Sequence, residues 1–282
     1  MKQRALFTAI TGDYENLNEL PPVAQGTMDA YCFTDNSNVT SESWKIVVVD
    51  SPFPLDPIRS QRFFKILQHD IVRRFDETLY IDNSVLLKVD PHQILDVWLR
   101  DAEIAIPEHS FRNSVYDEFD AVIEHHLDTR DRVLEQKNHY VELYPHVLST
   151  RPTWNAMIAR RNTDNVAEFE RMWFDQLLRY SRRDQLSAPI AAELSHVRLN
   201  RVSIDNNDSP FHSWPVLNER KTQIRHDFWP DVSELESRIA DSEREIASLK
   251  SELIAVWGSP SWKITRPLRG IAKLFTRPPK SD

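Results

Sequence analysis

Short apolar runs alternate with amphipathic segments along the first two thirds of this chain, and this alternation limits the fold more than any other feature. Runs rich in β-branched and aromatic residues predict strands at 4–10, 30–34, 44–49, 78–82, 85–89 and 157–160. Apolar residues spaced three or four positions apart predict helices at 57–75, 117–144, 166–180 and from Pro189 onward. Strands that alternate with helices indicate a layered α/β domain.

A different pattern begins after residue 231, where steps of three and four alternate. The positions concerned are Val232, Leu235, Ile239, Ser242, Ile246, Leu249, Leu253 and Val256. They match the a and d positions of a heptad repeat that Gly258 and Pro260 end. A coiled coil between copies of the chain is favoured, and one amphipathic helix packed on the preceding domain is the alternative. We therefore expect a domain at 1–230, a heptad helix at 231–257 and a tail at 258–282.

The tail combines apolar residues with six basic ones. The basic residues are Lys263, Arg266, Arg269, Lys273, Arg277 and Lys280. This composition suits peripheral contact with an anionic membrane surface, or a tail that packs back on the protein.

The bulk properties exclude several classes of protein. A net charge of −8 argues against nucleic-acid binding, because affinity for the phosphate backbone requires a concentrated positive surface. No run of about 18 apolar residues occurs, so we expect no membrane-spanning helix. The single cysteine, Cys32, has no disulfide partner in the chain, which fits a reducing compartment. We expect a cytoplasmic protein, at the inner face of the cytoplasmic membrane if its tail binds lipid.

Glycine is scarce, with four residues in the chain, and neither G-x-G-x-x-G nor G-x-x-x-x-G-K-[ST] occurs. Rossmann dinucleotide sites and P-loops need such glycines, so both are excluded. In ALFTAITGDYE, Gly12 follows the first strand and Tyr14 comes two residues later. A small residue there lets a nucleotide approach the backbone closely, although an ordinary strand-to-turn junction has the same pattern.

Four further segments carry candidate site residues. In TLYIDNSVLLK, Asp82 ends a strand and Ser84 follows, which fits a Mn²⁺ or Mg²⁺ site facing a diphosphate, or a capped turn. His212 in DNNDSPFHSWP can complete that metal site or be unrelated to it. In EHSFRNSVYDE, Arg112 suits pairing with phosphate or carboxylate. In RYSRRDQLSAP, Asp184 can orient a hydroxyl or stabilise a sugar cation. A charged helix start and a helix cap explain the last two segments equally well.

Seven motifs taken in order resemble one known family over roughly residues 4–215. They are TAITGDYE, YCFTDN, RSQRFFKI, LYIDNSVLLK, HSFRNSVYDE, NAMIARRN and YSRRDQLSAP. The family is domain of unknown function 616, also called the mucilage-related glycosyltransferase-like domain, which is similar to GT-A glycosyltransferases of the glycogenin and lipopolysaccharide galactosyltransferase group. The resemblance implies a GT-A-like α/β domain with a mixed central sheet flanked by helices. The tail resembles segments at the ends of bacterial cell-surface glycosyltransferases.

The resemblance also implies a role for each matching residue. Residues expected to hold the nucleoside are Thr8, Ile10, Tyr14 and Asp35, and basic residues expected near the nucleotide sugar are Arg59, Arg62 and Lys65. Asp82 matches the first aspartate of a D-x-D metal motif, Ser84 replaces the second, and His212 matches a metal-ligand histidine. Residues expected to contact the transferred sugar are Asp184 and Gln185, and Arg112 is a further catalytic candidate.

These roles imply a hexosyltransferase that moves a sugar, with retention of configuration, from a nucleoside diphosphate donor to a saccharide or lipid-linked acceptor. The expected setting is bacterial cell-surface polysaccharide synthesis. The alternative is a non-catalytic GT-A-like module that binds a glycan or serves as an assembly scaffold, which Ser84 favours. Convergence of Asp82, Asp184 and Arg112 on one cleft would favour the enzyme.

Overall fold

The computed structural model describes residues 2–217, 232–260 and 262, with side chains from residue 239 onward in the second stretch. The chain divides into two compact units, Met1–Phe228 and Trp229–Asp282. The first unit contains a central sheet with helices on both faces, and the predicted α/β fold with a mixed central sheet is confirmed.

The strands of the first unit form two sheets. The strands are β1 (Arg4–Ile10), β2 (Asp29–Thr34), β3 (Lys45–Val48), β4 (Glu77–Ile81), β5 (Leu86–Leu87), β6 (Ile104–Pro107), β7 (Met157–Arg161), β8 (Leu199–Val202) and β9 (His212–Ser213). The large sheet has seven strands in the order β3-β2-β1-β4-β7-β6-β8. Strand β7 runs antiparallel to both β4 and β6, while the other neighbours are parallel. Strands β5 and β9 form a separate antiparallel pair.

Eight helices of the first unit surround the sheet within the part of the chain that the structure describes. They are α1 (Pro57–Leu67), α2 (Asp70–Arg73), α3 (Pro91–Trp98), α4 (Val115–Glu124), α5 (Arg130–Leu143), α6 (Pro145–Leu148), α7 (Asp164–Arg179) and α8 (Ala188–Leu194). The single helix expected over 57–75 is instead two helices, because the chain breaks at Gln68, where φ is 58°. The buried amide of Gln68 accepts a hydrogen bond from Thr78 and donates one to Glu170. Helix α3 and strands β6 and β8 lie where the sequence predicted no element.

Alternate residues of the strands supply the cores on the two faces of the sheet. On β1, Leu6 and Ile10 pack with helix α3, while Phe7 packs with helices α1, α7 and α8. A third apolar cluster joins α4, α5, α6 and α8. The sheet is thus covered on both faces, and its strand ends are left to build a site.

A buried ion pair fixes helix α7 against the sheet. The Nε atom of Arg160 on β7 lies 3.1 Å from Oε1 of Glu170 on α7, and both side chains are fully buried. Arg160 also donates a 2.7 Å hydrogen bond to the carbonyl oxygen of Lys65. The pair therefore also holds the helix turn that carries Lys65.

The second unit contains helix α9 (Val232–Gly258), and the coiled coil remains a prediction. Exposed apolar side chains on α9 include Ile239, Ile246, Leu249, Leu253, Ile254 and Trp257. No helix within the described ranges is both long and apolar enough to cross a lipid bilayer. Most of the predicted tail, residues 261 and 263–282, lies outside the described residues.

Candidate active site

A cavity of about 410 Å³ opens at one edge of the large sheet. Its position follows from the opposite direction of β7, whose register pairs Met157 with Ile81 of β4. The residues that follow β4 therefore face those that precede β7, and the Asp82 amide donates a 2.7 Å hydrogen bond to the Ala156 carbonyl. Residues after β6 reach the same edge, so three strand ends surround the cavity.

Two carboxylates and one ammonium group lie together on the cavity wall. Nζ of Lys65 lies 2.8 Å from Oδ2 of Asp184 and 3.4 Å from Oδ1 of Asp82. Nε of Arg62, one turn earlier on α1, lies 3.4 Å from Oδ2 of Asp184. Asp184 begins a 3₁₀ turn after α7, and the indole of Trp173 donates a 3.0 Å hydrogen bond to its carbonyl oxygen.

The charges of this group follow from its surroundings. Burial opposes ionisation of Asp184, but Arg62 and Lys65 outweigh it and lower the pKa of the carboxyl group to about 2. Burial lowers the pKa of Lys65, against the opposing effect of Asp184 and Asp82. Burial, with the nearby Asp82 carboxylate, holds the pKa of Tyr80 well above its ordinary value. Tyr80 thus stays protonated and donates a 2.6 Å hydrogen bond to Asp82.

A second charged group surrounds Glu118, whose side chain is 1% exposed. Its Oε1 lies 3.0 Å from Nε of Arg183, and its Oε2 lies 3.3 Å from Nε of Arg112. His109 lies beside it, with Nε2 3.9 Å from Oε2. Burial, assisted by Arg112 and Arg183, lowers the pKa of His109 to about 3, so its ring is neutral at pH 7.

Buried polar atoms without a protein partner mark the cavity wall. Both amide atoms of Asn155 are buried and make no hydrogen bond to any described residue, and the same holds for Oε1 of Gln185 and Nδ1 of His109. All three residues line the cavity. Such atoms are rare in native proteins because an unpaired buried polar group is costly, so a polar ligand is the simplest partner for them.

A small hollow lies at the ends of β1 and β2, where the nucleoside is expected. Its wall includes Ile10 and Tyr14. Asp35 accepts hydrogen bonds of 3.0 and 3.2 Å from the Gly12 amide. Gly12 has φ +77°, and a Cβ added there would lie 2.3 Å from Cβ of Pro57. Glycine is therefore required for this turn to pack against helix α1.

The structure brings part of the predicted site together. Six of them line the cavity: Arg62, Lys65, Asp82, Arg112, Asp184 and Gln185. Five line neither the cavity nor the hollow: Thr8, Asp35, Arg59, Ser84 and His212. Thr8 is fully buried in β1. Arg59 pairs with Asp56 at 2.9 Å and donates to carbonyl groups at the end of α7.

The expected metal ligands are not assembled into a metal site. Nε1 of Trp214 donates to Oγ of Ser84 at 3.0 Å. His212 is fully buried, and its ring nitrogens bond to Oγ of Ser209 at 2.8 Å and to the carbonyl of Asn206 at 2.9 Å. Asp82 already contacts the ammonium group of Lys65 and accepts a hydrogen bond from the hydroxyl group of Tyr80.

Across residues 2–217 and 239–260, no three His, Cys, Asp or Glu side chains are placed to hold a metal ion. The residues present therefore do not fit a divalent cation held by Asp82, Ser84 and His212, in contrast to the expectation.

Several wall residues were not among the predicted site residues. Trp154, Asn155 and Trp214 line the cavity, as do Glu118 and Arg183. Glu118 and Arg183 lie in motifs whose other members were selected. Asn155 lies in the NAMIARRN motif, but its position at the site depends on the direction of β7, which apolar spacing does not indicate.

Known proteins are similar to this chain over much of its length. The family model for the TOD1/MUCI70 glycosyltransferase-like domain matches residues 24–205. The Arabidopsis thaliana protein named probable hexosyltransferase MUCI70 is 26% identical over 159 residues, which cover 51% of this chain and 26% of that protein. The chain thus aligns with about a quarter of its relative's length.

Two solved structures are similar at 12% sequence identity. Mouse xyloside xylosyltransferase 1 has a TM-score of 0.44, covering 72% of this chain and 85% of that one. The bifunctional glycosyltransferase WbbM has a TM-score of 0.41, covering 71% of this chain and 39% of that one.

The matched family region contains nearly all of the cavity wall named above, with Trp214 beyond its end. It also spans more than half of the chain. This chain therefore belongs to the TOD1/MUCI70 glycosyltransferase-like domain family.

Proposed function

We propose that this protein is a glycosyltransferase that uses a nucleoside diphosphate sugar. The observation that carries the proposal is the convergence of Asp184, Lys65 and Asp82 on one cavity whose wall also has unpartnered amide atoms. Arg112 lines the same cavity. This convergence favours an enzyme over a non-catalytic scaffold, because a scaffold has no need of buried, ionised groups around a polar cavity.

The proposed reaction is carried by fixed charges. The bond between the anomeric carbon and the diphosphate oxygen breaks, and its electron pair leaves with the diphosphate. An acceptor hydroxyl oxygen bonds to the anomeric carbon, and its proton passes to a diphosphate oxygen or to solvent. Lys65 and Arg62 stabilise the departing negative charge, and the Asp184 carboxylate stabilises positive charge on the sugar.

Hydroxyl groups of the transferred sugar pair with Asn155 and Gln185, whose buried polar atoms lack protein partners. No step is assigned to Mn²⁺ or Mg²⁺, because the residues present do not fit such a site. Retention of configuration is part of the proposal through the resemblance, and proton NMR of the first product formed would test it.

The test is thermal unfolding of the full chain with UDP, GDP, CDP and dTDP sugars, each with and without Mn²⁺. A donor at a hundred times its Kd adds about 2.7 kcal/mol, which raises Tm by roughly 5–10 °C. We expect one donor to do so in the parent and to lose the effect in Arg62→Gln, which removes a positive charge assigned to the diphosphate. The exposed Arg171→Gln, which removes the same charge away from the cavity, should respond like the parent. No shift with any donor would favour the scaffold.

We further propose that α9 joins copies of the chain through its exposed apolar strip, which includes Ile246, Leu249, Leu253 and Trp257. Light scattering should give a multiple of the chain mass, and Leu249→Asp should give the single-chain mass. Ser251→Asp, which adds the same charge off the strip, is the control. A single-chain mass in the parent would remove this proposal.

The finer setting is proposed from the sequence. It comprises a saccharide or lipid-linked acceptor, bacterial surface polysaccharide synthesis, a cytoplasmic location and membrane contact through the tail. Binding of the full chain to anionic vesicles, compared with neutral ones, tests the membrane contact.

A further inference from the structure

Two arginines on the cavity wall share one buried carboxylate. Arg112 and Arg183 each approach Glu118 through Nε, the inner nitrogen of the guanidinium group. Their side chains are 25% and 29% exposed, whereas Glu118 is buried. One terminal nitrogen of Arg112 donates a hydrogen bond to the carbonyl oxygen of Phe111. The terminal nitrogens of Arg183 have no acceptor among the described residues. Glu118 thus positions both arginines, which line the cavity, and leaves outer guanidinium nitrogens without an acceptor in the part of the chain that the structure describes.

Among the described side chains, only one carboxylate pairs directly with the two guanidinium groups, while Asp117 and Asp184 act on Arg112 and Arg183 from farther away. The His109 ring is neutral at pH 7. The buried Nδ1 of His109 has no hydrogen-bond partner in residues 2–217, although the ring lines the same cavity. A ligand with negatively charged oxygen acceptors would pair with the outer guanidinium nitrogens.

The topology places the β6 part of this cluster away from Asp82. Asp82 follows β4, where Lys65 of helix α1 contacts it, whereas His109 and Arg112 follow β6, two strands away in the sheet. Arg183 precedes Asp184 in the chain and pairs with Glu118. Adjacent strands are about 4.8 Å apart, so the end of β6 lies roughly 10 Å from that of β4 and roughly 14 Å from that of β1. The nucleoside hollow lies at β1 and β2, so the donor occupies the opposite side.

We propose that the β6 side of the cavity is an acceptor subsite for an anionic group, a carboxylate or a phosphoryl group, which Arg112 and Arg183 bind. The inference rests on the proposed glycosyl transfer, because that reaction defines which ligand is the acceptor. Glu118 acts as a positioning residue for the two arginines. The acceptor is thus an acidic saccharide or a phosphorylated one.

The test is a binding measurement on the full chain by isothermal titration or ligand-observed NMR. The probes are glucuronate, galacturonate and glucose 6-phosphate, with glucose and galactose as neutral counterparts. We expect at least one acidic probe to bind at least about tenfold more tightly than its neutral counterpart, since a hydrogen bond to a charged group contributes that much or more. The preferred probe distinguishes carboxylate from phosphoryl recognition.

Arg183→Gln should weaken binding of the preferred acidic probe by about tenfold to a hundredfold and leave the neutral probe unchanged. Arg183→Lys keeps the positive charge without the forked guanidinium geometry, so its affinity for the acidic probe should lie between those of the parent and Arg183→Gln. This variant still tests the proposal if Arg183→Gln folds poorly. Arg171→Gln, on the exposed side of α7, is the matched control.

Donor binding is measured on the same samples to separate the two proposals. If a nucleotide sugar raises Tm but acidic probes bind no more tightly than neutral ones, the acceptor subsite is wrong and the transferase proposal stands. If acidic probes bind through Arg183 and no nucleotide sugar binds, the cavity holds an anionic saccharide without the proposed transfer.

Discussion

Replacing Asp184 with Asn should destabilise the protein in a pH-dependent way. The folded protein lowers the pKa of this carboxyl group from its ordinary value of 3.8 to about 2, and each unit corresponds to about 1.36 kcal/mol. The ionised carboxylate therefore contributes about 2 kcal/mol to the free energy of unfolding. Lys65 keeps Asp82 at 3.4 Å in the variant, so the loss should stay below the 3–5 kcal/mol typical of a fully broken buried pair.

The sign of the pH effect follows from the lowered pKa. The contribution is fully present above about pH 4, where the unfolded carboxyl group is ionised, and it disappears as pH falls toward 2. Asp184→Asn should thus be about 2 kcal/mol less stable than the parent at pH 7, and the difference should shrink between pH 4 and pH 2.

Urea titration followed by tryptophan fluorescence at pH 7, 5 and 3 measures this difference. Asp175→Asn, which removes an exposed carboxylate from α7, should stay within about 0.5 kcal/mol of the parent. Equal stability of parent and Asp184→Asn at pH 7, or a difference that does not change on acidification, would refute the ion-pair account of this site.

Two substitutions and one measurement of thiol reactivity test other parts of the structure. Gly12→Ala should lower the free energy of unfolding by about 2–3 kcal/mol in urea titration, because φ is +77° and the new Cβ would overlap Pro57; a neutral effect would contradict the turn geometry. Glu170→Gln should lower the free energy of unfolding by about 3–5 kcal/mol in the same titration, because Arg160 keeps a buried charge without its partner. A loss under about 1 kcal/mol would contradict this account of the ion pair. Burial raises the pKa of the Cys32 thiol to about 12. The thiol should therefore react with a disulfide reagent at pH 8 at least about a hundredfold more slowly in the folded protein than in the urea-unfolded protein. Equal rates would show that the thiol is accessible in the folded protein.

Part of the site could be predicted because local rules determine it. The sequence predicts Asp82 as a site residue because a carboxylate at the carboxyl end of a strand faces the ligand edge of an α/β sheet. In the structure Asp82 lines the cavity. Asp184 and Gln185 were selected through a motif, and their 3₁₀ turn presents both to the cavity.

The remainder depends on contacts that are distant in sequence. The apolar spacing over 57–75 continues across Gln68, and only its buried bonds to Thr78 and Glu170 show why the helix breaks there. His212 resembles a free ligand in the sequence, but its ring nitrogens are engaged, and the ring stacks on Trp154 at 5.0 Å between centroids. Neither the direction of a strand nor the burial of a ring is encoded in local periodicity.

The last described residues of the first unit contact a segment that is synthesised much earlier. The amide of Val216 donates a 2.8 Å hydrogen bond to the carbonyl of Ser84, and the indole of Trp214 reaches the hydroxyl of the same serine. These contacts join positions about 130 residues apart, and such long-range closures form slowly. During synthesis most strands of the large sheet leave the ribosome well before Trp214, so the nascent chain lacks part of the cavity wall. We expect the cavity wall to be completed only after Trp214 has left the ribosome.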